Sequence, residues 1–146
     1  MKSTDNIYNY SWKAFDKDVE KLCKQIDFTQ YEYLVGVATG GLPLLTKLIN
    51  VTKKPYIIIK CQSYVGKNRR ELKIDTDGLT IIAKRVLLVD DVADSGRTLE
   101  RVRIELNLKG NSAEILTLFY KPQSTVIPEW YVHEVENRQW IQFPWE

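Results

Sequence analysis

Histidine and cysteine are scarce in this sequence, and their scarcity argues against a structural zinc site. The 146 residues include one histidine, His133, and two cysteines, Cys23 and Cys61. Together they fall short of the four histidine and cysteine ligands that such a site usually needs. The two cysteines could pair, but nothing else in the sequence indicates an oxidising compartment. We interpret both as small buried hydrophobic residues.

Long apolar runs and a strong excess of one charge are also absent. No run is long enough to cross a membrane, and residues 1–10 lack the apolar core of a signal peptide. The net charge of +2 is close to neutral, which gives no support to nucleic-acid binding, because such binding would need a concentrated basic face. We therefore expect a cytoplasmic protein with no nucleic-acid and no membrane partner.

The length and composition are those of one ordinary domain. With 146 residues, of which 44% are hydrophobic and 27% charged, the chain can bury one core but not two. We expect residues 1–146 to form a single domain. The glycine-rich fingerprints of P-loop and dinucleotide-binding proteins are absent, which argues against both folds.

The most informative stretch of the chain runs from Arg85 to Glu100. It opens with Val86 to Val89, an unbroken apolar run that is typical of a strand buried on both faces of a parallel sheet. Asp90 and Asp91 follow, where we expect this strand to end. Because ligands bind beyond the carboxyl ends of the strands in open α/β sheets, these acids are candidates for a binding site.

A glycine-containing turn then leads into a helix that we expect to begin between Ser95 and Thr98. Such a turn points backbone N–H groups and the positive end of the helix dipole into one concavity, which suits a phosphate. Asp90 and Asp91 only accept hydrogen bonds, so they suit sugar hydroxyls or a hard divalent cation. The alternative is an ordinary turn with Asp94 or Ser95 as helix cap, but capping explains only one acid. Together these features indicate a phosphorylated ribose.

The run from Val86 to Thr98 resembles the phosphoribosyl-pyrophosphate signature of type I phosphoribosyltransferases. The likeness extends from Trp12 to Trp145 and is greatest to the xanthine-guanine branch of the family. It implies an α/β fold with a central, mostly parallel sheet flanked by helices and a small C-terminal hood of about residues 122–146. It also implies purine salvage: transfer of 5-phosphoribosyl from phosphoribosyl pyrophosphate to a 6-oxopurine, giving a nucleoside 5′-monophosphate and pyrophosphate.

The resemblance assigns roles to residues of this stretch. Asp94 acts as general base, or at least accepts the proton of the purine N7. Asp90 and Asp91 hold the ribose hydroxyls directly or through Mg²⁺, the one cofactor implied. The remaining substrate-binding positions of the stretch, which include the 5′-phosphate cradle, are Val92, Ala93, Ser95, Gly96, Arg97 and Thr98.

A second glycine turn follows the apolar run Tyr33 to Val37. Paired glycines let a ligand approach the backbone closely, although a tight turn without a ligand is an equally good interpretation of the two residues alone. The resemblance implies that this loop holds the pyrophosphate through Thr39, Gly40 and Gly41. It also implies a strained peptide bond between Thr39 and Gly40. A basic residue is usual in the family at the position of Thr39, so this loop departs from the pattern.

A polar, charged stretch of about residues 62–78 follows the apolar run Tyr56 to Lys60. A connection this long is usually a functional lid or a disordered insert, and the alternative is a solvated hairpin. The resemblance implies a flexible loop that closes over the pyrophosphate and in which Arg70 contacts phosphate. Arg69 or Lys67 could supply the charge that Thr39 lacks.

The nucleobase site lies in the last third of the chain by resemblance. Lys121, at the end of a predicted strand from Glu114 to Tyr120, donates to the 6-oxo group of the purine, although a lysine at a strand end is most often a solvated edge charge. Trp140 stacks on the base, and the backbone of Ile141 bonds the base edge. Relatives that accept xanthine well have an acid at the position of Gln142, so guanine and hypoxanthine are the expected bases and xanthine stays open.

Two rival functions remain at this level. One is a regulatory module that senses phosphoribosyl pyrophosphate or a nucleotide without turnover, which the departure at Thr39 favours. The other is a transferase for another nucleobase, such as a pyrimidine. We expect small-molecule substrates in either case, and a homodimer or homotetramer.

Overall fold

The computed structural model describes residues 6–65 and 70–146. Within them the chain alternates strands and helices, with short 3₁₀ turns at Phe28–Gln30 and Thr76–Gly78. The helices and strands, in chain order, are β1 Ile7–Asn9, α1 Trp12–Gln25, β2 Tyr33–Ala38, α2 Leu42–Thr52, β3 Tyr56–Val65, β4 Arg70–Ile74, β5 Arg85–Ala93, α3 Arg97–Leu108, β6 Ser112–Tyr120, β7 Trp130–Glu134 and β8 Trp140–Gln142.

The main sheet has the strand order β4-β3-β2-β5-β6-β7. Every neighbouring pair in it is parallel except β3 and β4, which are antiparallel. One hydrophobic cluster lies on each face of the sheet, with α1 and α2 on one side and α3 on the other. The predicted α/β fold with a mostly parallel sheet and flanking helices is therefore confirmed. No helix in the described part of the chain is long and apolar enough to cross a membrane.

The helices begin where local sequence signals place them. The Ser11 hydroxyl accepts from the Ala14 amide at 3.0 Å, which satisfies one of the first free N–H groups of α1. Helix α1 then buries one apolar face, as the spacing of its apolar residues predicts. Helix α3 begins at Arg97, within the predicted interval, after Gly96 in the left-handed region at φ 81°.

Strand β5 is longer than predicted, because it continues past both acids to Ala93. Its pairing with β2 stops at Gly36 and Val89, but its pairing with β6 runs on to Ala93 and Tyr120. Asp90 and Asp91 therefore lie in the last part of the strand, which is hydrogen-bonded on one side only. The open side faces the turn that follows β2.

Most of the described residues in the stretch predicted to be a long flexible loop belong to paired strands. Strand β3 runs to Val65 and pairs with β4. This antiparallel pairing agrees with the alternative of a hairpin, and β4 satisfies backbone groups that would otherwise be unpaired along the edge of β3. Lys67 and Arg69 lie outside the described residues.

The C-terminal stretch expected to form a hood divides between two sheets. Strand β7 extends the main sheet beside β6, whereas β8 pairs in parallel with β1. Phe119 at the end of β6 joins the two, because its ring meets Tyr10 and Phe143 edge-on at centroid distances of 4.9 and 5.7 Å. Edge-to-face contacts of this kind stabilise the fold beyond the contribution from burial of the rings.

We expect the Phe119→Ala substitution to lower the free energy of unfolding by about 3–5 kcal/mol, because Phe119 is fully buried and its loss leaves a cavity. Urea denaturation measures this change. The matched control is Leu108→Ala, since Leu108 is 75% exposed at the end of α3 and should change stability by less than about 0.5 kcal/mol. A similar small change for Phe119→Ala would contradict the packing described.

Candidate functional site

The ends of β2, β5 and β6 meet β8 around a cleft of about 580 Å³. Of the residues predicted to form the site, the cleft is lined by Thr39, Gly40, Asp91, Val92, Asp94, Lys121, Trp140 and Ile141. Sequence reasoning missed five further lining residues, Leu42, Pro43, Phe143, Trp145 and Glu146. Two of these, Phe143 and Trp145, stack on each other with ring centroids 4.8 Å apart.

The turn after β2 needs glycine because other backbone and side-chain atoms lie against it. A Cβ on Gly40 would lie 2.5 Å from Oδ2 of Asp91, and one on Gly41 would lie 2.6 Å from the carbonyl oxygen of Val89. The paired glycines thus let this turn lie against the open side of β5. The peptide bond between Ala38 and Thr39 is cis, one position before the bond between Thr39 and Gly40 that was expected to be strained.

The two acids of β5 differ in their exposure to the cleft. Asp91 lines the cleft, whereas Asp90 is 9% exposed and lies behind it. Oδ1 of Asp90 accepts from the Asp91 amide, and Oδ1 of Asp91 accepts from the Val92 amide, each at 2.8 Å.

Burial raises the pKa of both carboxyls. The pKa of Asp90 is raised well above its usual value by burial first and by the charge of Asp91 second. The pKa of Asp91 is raised mainly by burial. Two adjacent, desolvated carboxyls favour either a shared proton or a cation. The pair could therefore hold a divalent metal ion through its oxygens, with the other ligands supplied by a substrate, since no cluster of three metal-ligating side chains occurs among residues 6–65 and 70–146.

Asp94 and Lys121 form an ion pair at the rim of the same cleft. The register pairs Ala93 with Tyr120, the last residues of the two strands, so Asp94 and Lys121, which follow them, lie close together. Nζ of Lys121 lies 3.2 Å from Oδ2 of Asp94. The lysine side chain is only 7% exposed and the aspartate 51%, so Lys121 is not the solvated edge charge that its position alone suggests.

The turn at the start of α3 lies beside the cleft and not in its lining. The amide of Arg97 donates to the Ser95 hydroxyl at 3.3 Å, and the first helical bond runs from Glu100 to the Gly96 carbonyl. The amides of Thr98 and Leu99 donate to no atom of the described residues, as expected for the first turn of a helix. These two amides are free to bind an anion.

The remaining predicted residues are placed as follows. Trp140 is 37% exposed at the cleft, and Ile141 beside it is buried in β8. Gly41, Asp90, Ala93, Ser95, Gly96, Arg97 and Thr98 lie in the elements around the cleft without lining it. Arg70 begins β4, and its side chain lies outside the described part of the structure.

Known proteins resemble this chain over almost its full length. The family described as "Phosphoribosyl transferase domain" matches residues 3–146. A xanthine-guanine phosphoribosyltransferase of Chromohalobacter salexigens is 31% identical over 142 residues, which cover 95% of this chain and 83% of the relative.

Two solved structures show the same fold. A purine phosphoribosyltransferase from Pyrococcus horikoshii superposes with a TM-score of 0.83 and 30% identity, covering 97% of this chain and 94% of the other. A xanthine-guanine-hypoxanthine phosphoribosyltransferase of Helicobacter pylori gives a TM-score of 0.85 at 28% identity, covering 96% and 94%.

We expect Asp90→Asn to stabilise the protein at about pH 7, because the raised pKa of Asp90 means that ionising it opposes folding. A group with a raised pKa contributes stability below its unfolded pKa and loses that contribution as the pH rises through its folded pKa. The stability that Asp90→Asn gains over the wild type should therefore be smaller at about pH 4, near the pKa of an unfolded aspartate.

Urea denaturation at both pH values without divalent cations measures the effect. The control is Asp77→Asn in the exposed 3₁₀ turn, which should change little at either pH. A variant at position 90 that is less stable than the wild type at about pH 7 would show that the carboxylate is stabilised where it lies.

Proposed function

We propose that this chain, which belongs to the phosphoribosyl transferase family, transfers the 5-phosphoribosyl group of phosphoribosyl pyrophosphate to a 6-oxopurine. The products are a nucleoside 5′-monophosphate and pyrophosphate, and the role is purine salvage. Guanine and hypoxanthine are the proposed bases. The names of the relatives support this class of substrate, and one pair of side chains in the cleft supports it independently.

The observation that carries the proposal is the pairing of Lys121 with Asp94. The 6-oxo group and N7 lie next to each other on one edge of the purine ring. With its proton on N7, a 6-oxopurine presents there an acceptor beside a donor. A lysine ammonium and a carboxylate, 3.2 Å apart, present the complementary donor and acceptor. Adenine carries an amino donor at position 6, which would face the ammonium donor of the buried Lys121 in place of an acceptor, a mismatch that costs several kcal/mol in sites of this kind.

The same pair suits the chemistry of the transfer. N9 of the purine forms a bond to the anomeric carbon of the ribose as the bond from that carbon to the pyrophosphate oxygen breaks. The purine gains positive charge in this step, and the proton leaves N7 for the carboxylate of Asp94. A base positioned in this way contributes about 10²–10⁴-fold to the rate.

The base would lie between the hood segment and β5. The half-exposed ring of Trp140 offers a stacking surface, and the backbone of the buried Ile141 beside it can bond the edge of the base. Val92 and Phe143 also belong to the apolar part of the lining. An aromatic surface with few polar groups is typical of a site that orients a planar ligand.

The ribose phosphate would lie at the start of α3. The free amides of Thr98 and Leu99 and the helix dipole suit the 5′-phosphate, with Ser95 to Arg97 completing the turn. The glycine turn at Thr39 to Gly41 lies against Asp91 and would hold the pyrophosphate, with Arg70 as the proposed further phosphate contact.

Mg²⁺ fits this site on its charge. The charged side chains that line the cleft in the described residues are Asp91, Asp94 and Glu146 against a single lysine, Lys121. A polyanionic substrate therefore needs added positive charge here. Asp91, with Asp90 behind it, would hold the ion, which when bound neutralises charge on the pyrophosphate leaving group.

The assembly and location are also proposals. We infer a homodimer or homotetramer in the cytoplasm from the family resemblance, and a single domain over residues 1–146. The cores on the two faces of one sheet support the single domain.

The direct test incubates the purified protein with phosphoribosyl pyrophosphate, Mg²⁺ and one base at a time, and follows nucleotide formation and pyrophosphate release. We expect guanine and hypoxanthine to react, and adenine and orotate to react at least about 100-fold more slowly. The rate with xanthine tests whether Gln142, in place of an acid, limits the use of this base. Preferential use of adenine or orotate, or binding of the phosphoribosyl compound without turnover of any base, would refute the proposal.

Asp94→Ala should lower kcat with guanine by about 100-fold or more, because the acceptor of the N7 proton is lost. Steady-state kinetics and circular dichroism measure turnover and folding together. The control is Asp77→Ala, which removes an exposed acid from the 3₁₀ turn and should leave kcat unchanged. Near wild-type turnover of the Asp94 variant would remove this residue from the mechanism.

Lys121→Met should raise the KM for hypoxanthine by about 10–100-fold, because a hydrogen bond from a charged donor to the 6-oxo group is lost while the volume is kept. The KM for phosphoribosyl pyrophosphate should change far less. Lys13→Met on the exposed face of α1 is the control. An unchanged KM for hypoxanthine would show that Lys121 does not contact the base.

A further inference from the structure

The turn that follows β6 holds both oxygens of the Asp94 carboxylate. Nζ of Lys121 donates to Oδ2 at 3.2 Å, and Nε2 of Gln123 donates to Oδ1 in a short hydrogen bond. The two donors are two residues apart in the chain and approach the carboxylate from the same turn. Lys121 and Asp94 line the cleft, whereas Gln123 does not.

Gln123 is itself fixed by backbone contacts of this turn. Its amide donates to Oδ1 of Asn137 at 2.9 Å, which ties it to the segment before β8. The turn also binds the loop that carries Asp94 on both sides, because the Lys121 amide donates to the Ala93 carbonyl and the Thr125 amide to the Ser95 carbonyl, at 3.0 and 2.8 Å. The carboxamide of Gln123 therefore reaches Asp94 from an anchored position.

We propose that Gln123 is a positioning residue that fixes the plane of the Asp94 carboxylate for proton transfer from the base. The inference rests on the proposed function. A carboxylate held through one oxygen turns easily about its last bond, because that torsion has a broad energy profile. Asp94 is half exposed, so packing does not fix it. A second donor on the other oxygen fixes the plane of the carboxylate.

The fixed plane leaves Asp94 able to accept a further hydrogen bond. An ionised carboxylate has about four acceptor positions, and Lys121 and Gln123 use one on each oxygen. Asp94 lines the cleft, so its remaining positions are available to a proton donor bound there. Without Gln123 the carboxylate could rotate with Lys121 still attached, and the acceptor would lose its alignment with N7.

The test compares Gln123→Leu with Gln25→Leu. The control removes an exposed glutamine from the end of α1 that has no side-chain partner in the described residues. We expect Gln123→Leu to lower kcat with guanine by about tenfold, and to leave the KM for phosphoribosyl pyrophosphate within about twofold of the wild type. The thermal midpoint should match that of the control. A purely structural role would instead lower the midpoint and raise both KM values.

A double-mutant cycle assigns the effect to Asp94. In an Asp94→Asn background, Gln123→Leu should cause no further loss, because the group that Gln123 orients no longer takes the proton. Gln123→Glu gives a second, independent variant in case Gln123→Leu does not fold. It keeps the length but replaces the donor by a like charge, and its loss of kcat should be larger.

The outcomes separate this inference from the proposed function. An active wild type whose Gln123→Leu and Gln123→Glu variants both keep the kcat of the control refutes the positioning role alone. An equal loss with and without the Asp94 carboxylate also refutes it. A wild type that transfers phosphoribosyl to no base refutes the proposed function, and the positioning role with it.

Discussion

The contact between the Lys121 ammonium and the Asp94 carboxylate is the interaction on which the site depends. Lys121 is almost fully buried, and a buried ammonium without a partner is costly. The contact exists because β5 and β6 are parallel and in a register that pairs Ala93 with Tyr120. A change of register by one residue would displace the end of one strand by about 3.3 Å along the other and separate the two side chains. The register thus sets the donor and acceptor that the base would meet.

The two acids earlier in β5 show a different compromise between stability and function. Asp90 and Asp91 lie side by side at a point where β2 no longer pairs with the strand, and burial raises the pKa of both. A sequence selected for stability alone would avoid such a pair. Their position at the carboxyl ends of the strands, against a turn kept open by Gly40, is explained by a ligand that brings positive charge or hydroxyl groups.

The parts of the molecule that depend on local signals could be predicted from the sequence. The apolar run of β5 and the glycine turn before α3 each act over a few residues, and each was found where expected. Pairings between distant segments could not be predicted in this way. The extension of β5 depends on its neighbour β6, and β4 replaces part of a predicted loop because β3 offers it an unpaired edge. Gln123 belongs to no motif, and only the folded turn brings its side-chain carboxamide to Asp94, which is 29 residues away in the chain.

Binding of two unreactive guanine analogues tests the central claim most directly. In 9-deazaguanine carbon replaces N9, so the 6-oxo group and a proton on N7 are kept, whereas in 7-deazaguanine carbon replaces N7. Isothermal titration calorimetry in the presence of Mg²⁺ and pyrophosphate compares their affinities. The account predicts that 9-deazaguanine binds at least about tenfold more tightly, the difference expected for one hydrogen bond to a charged group. Equal affinities, or tighter binding of 7-deazaguanine, would contradict the hydrogen bonds proposed from Lys121 to the 6-oxo group and from N7 to Asp94.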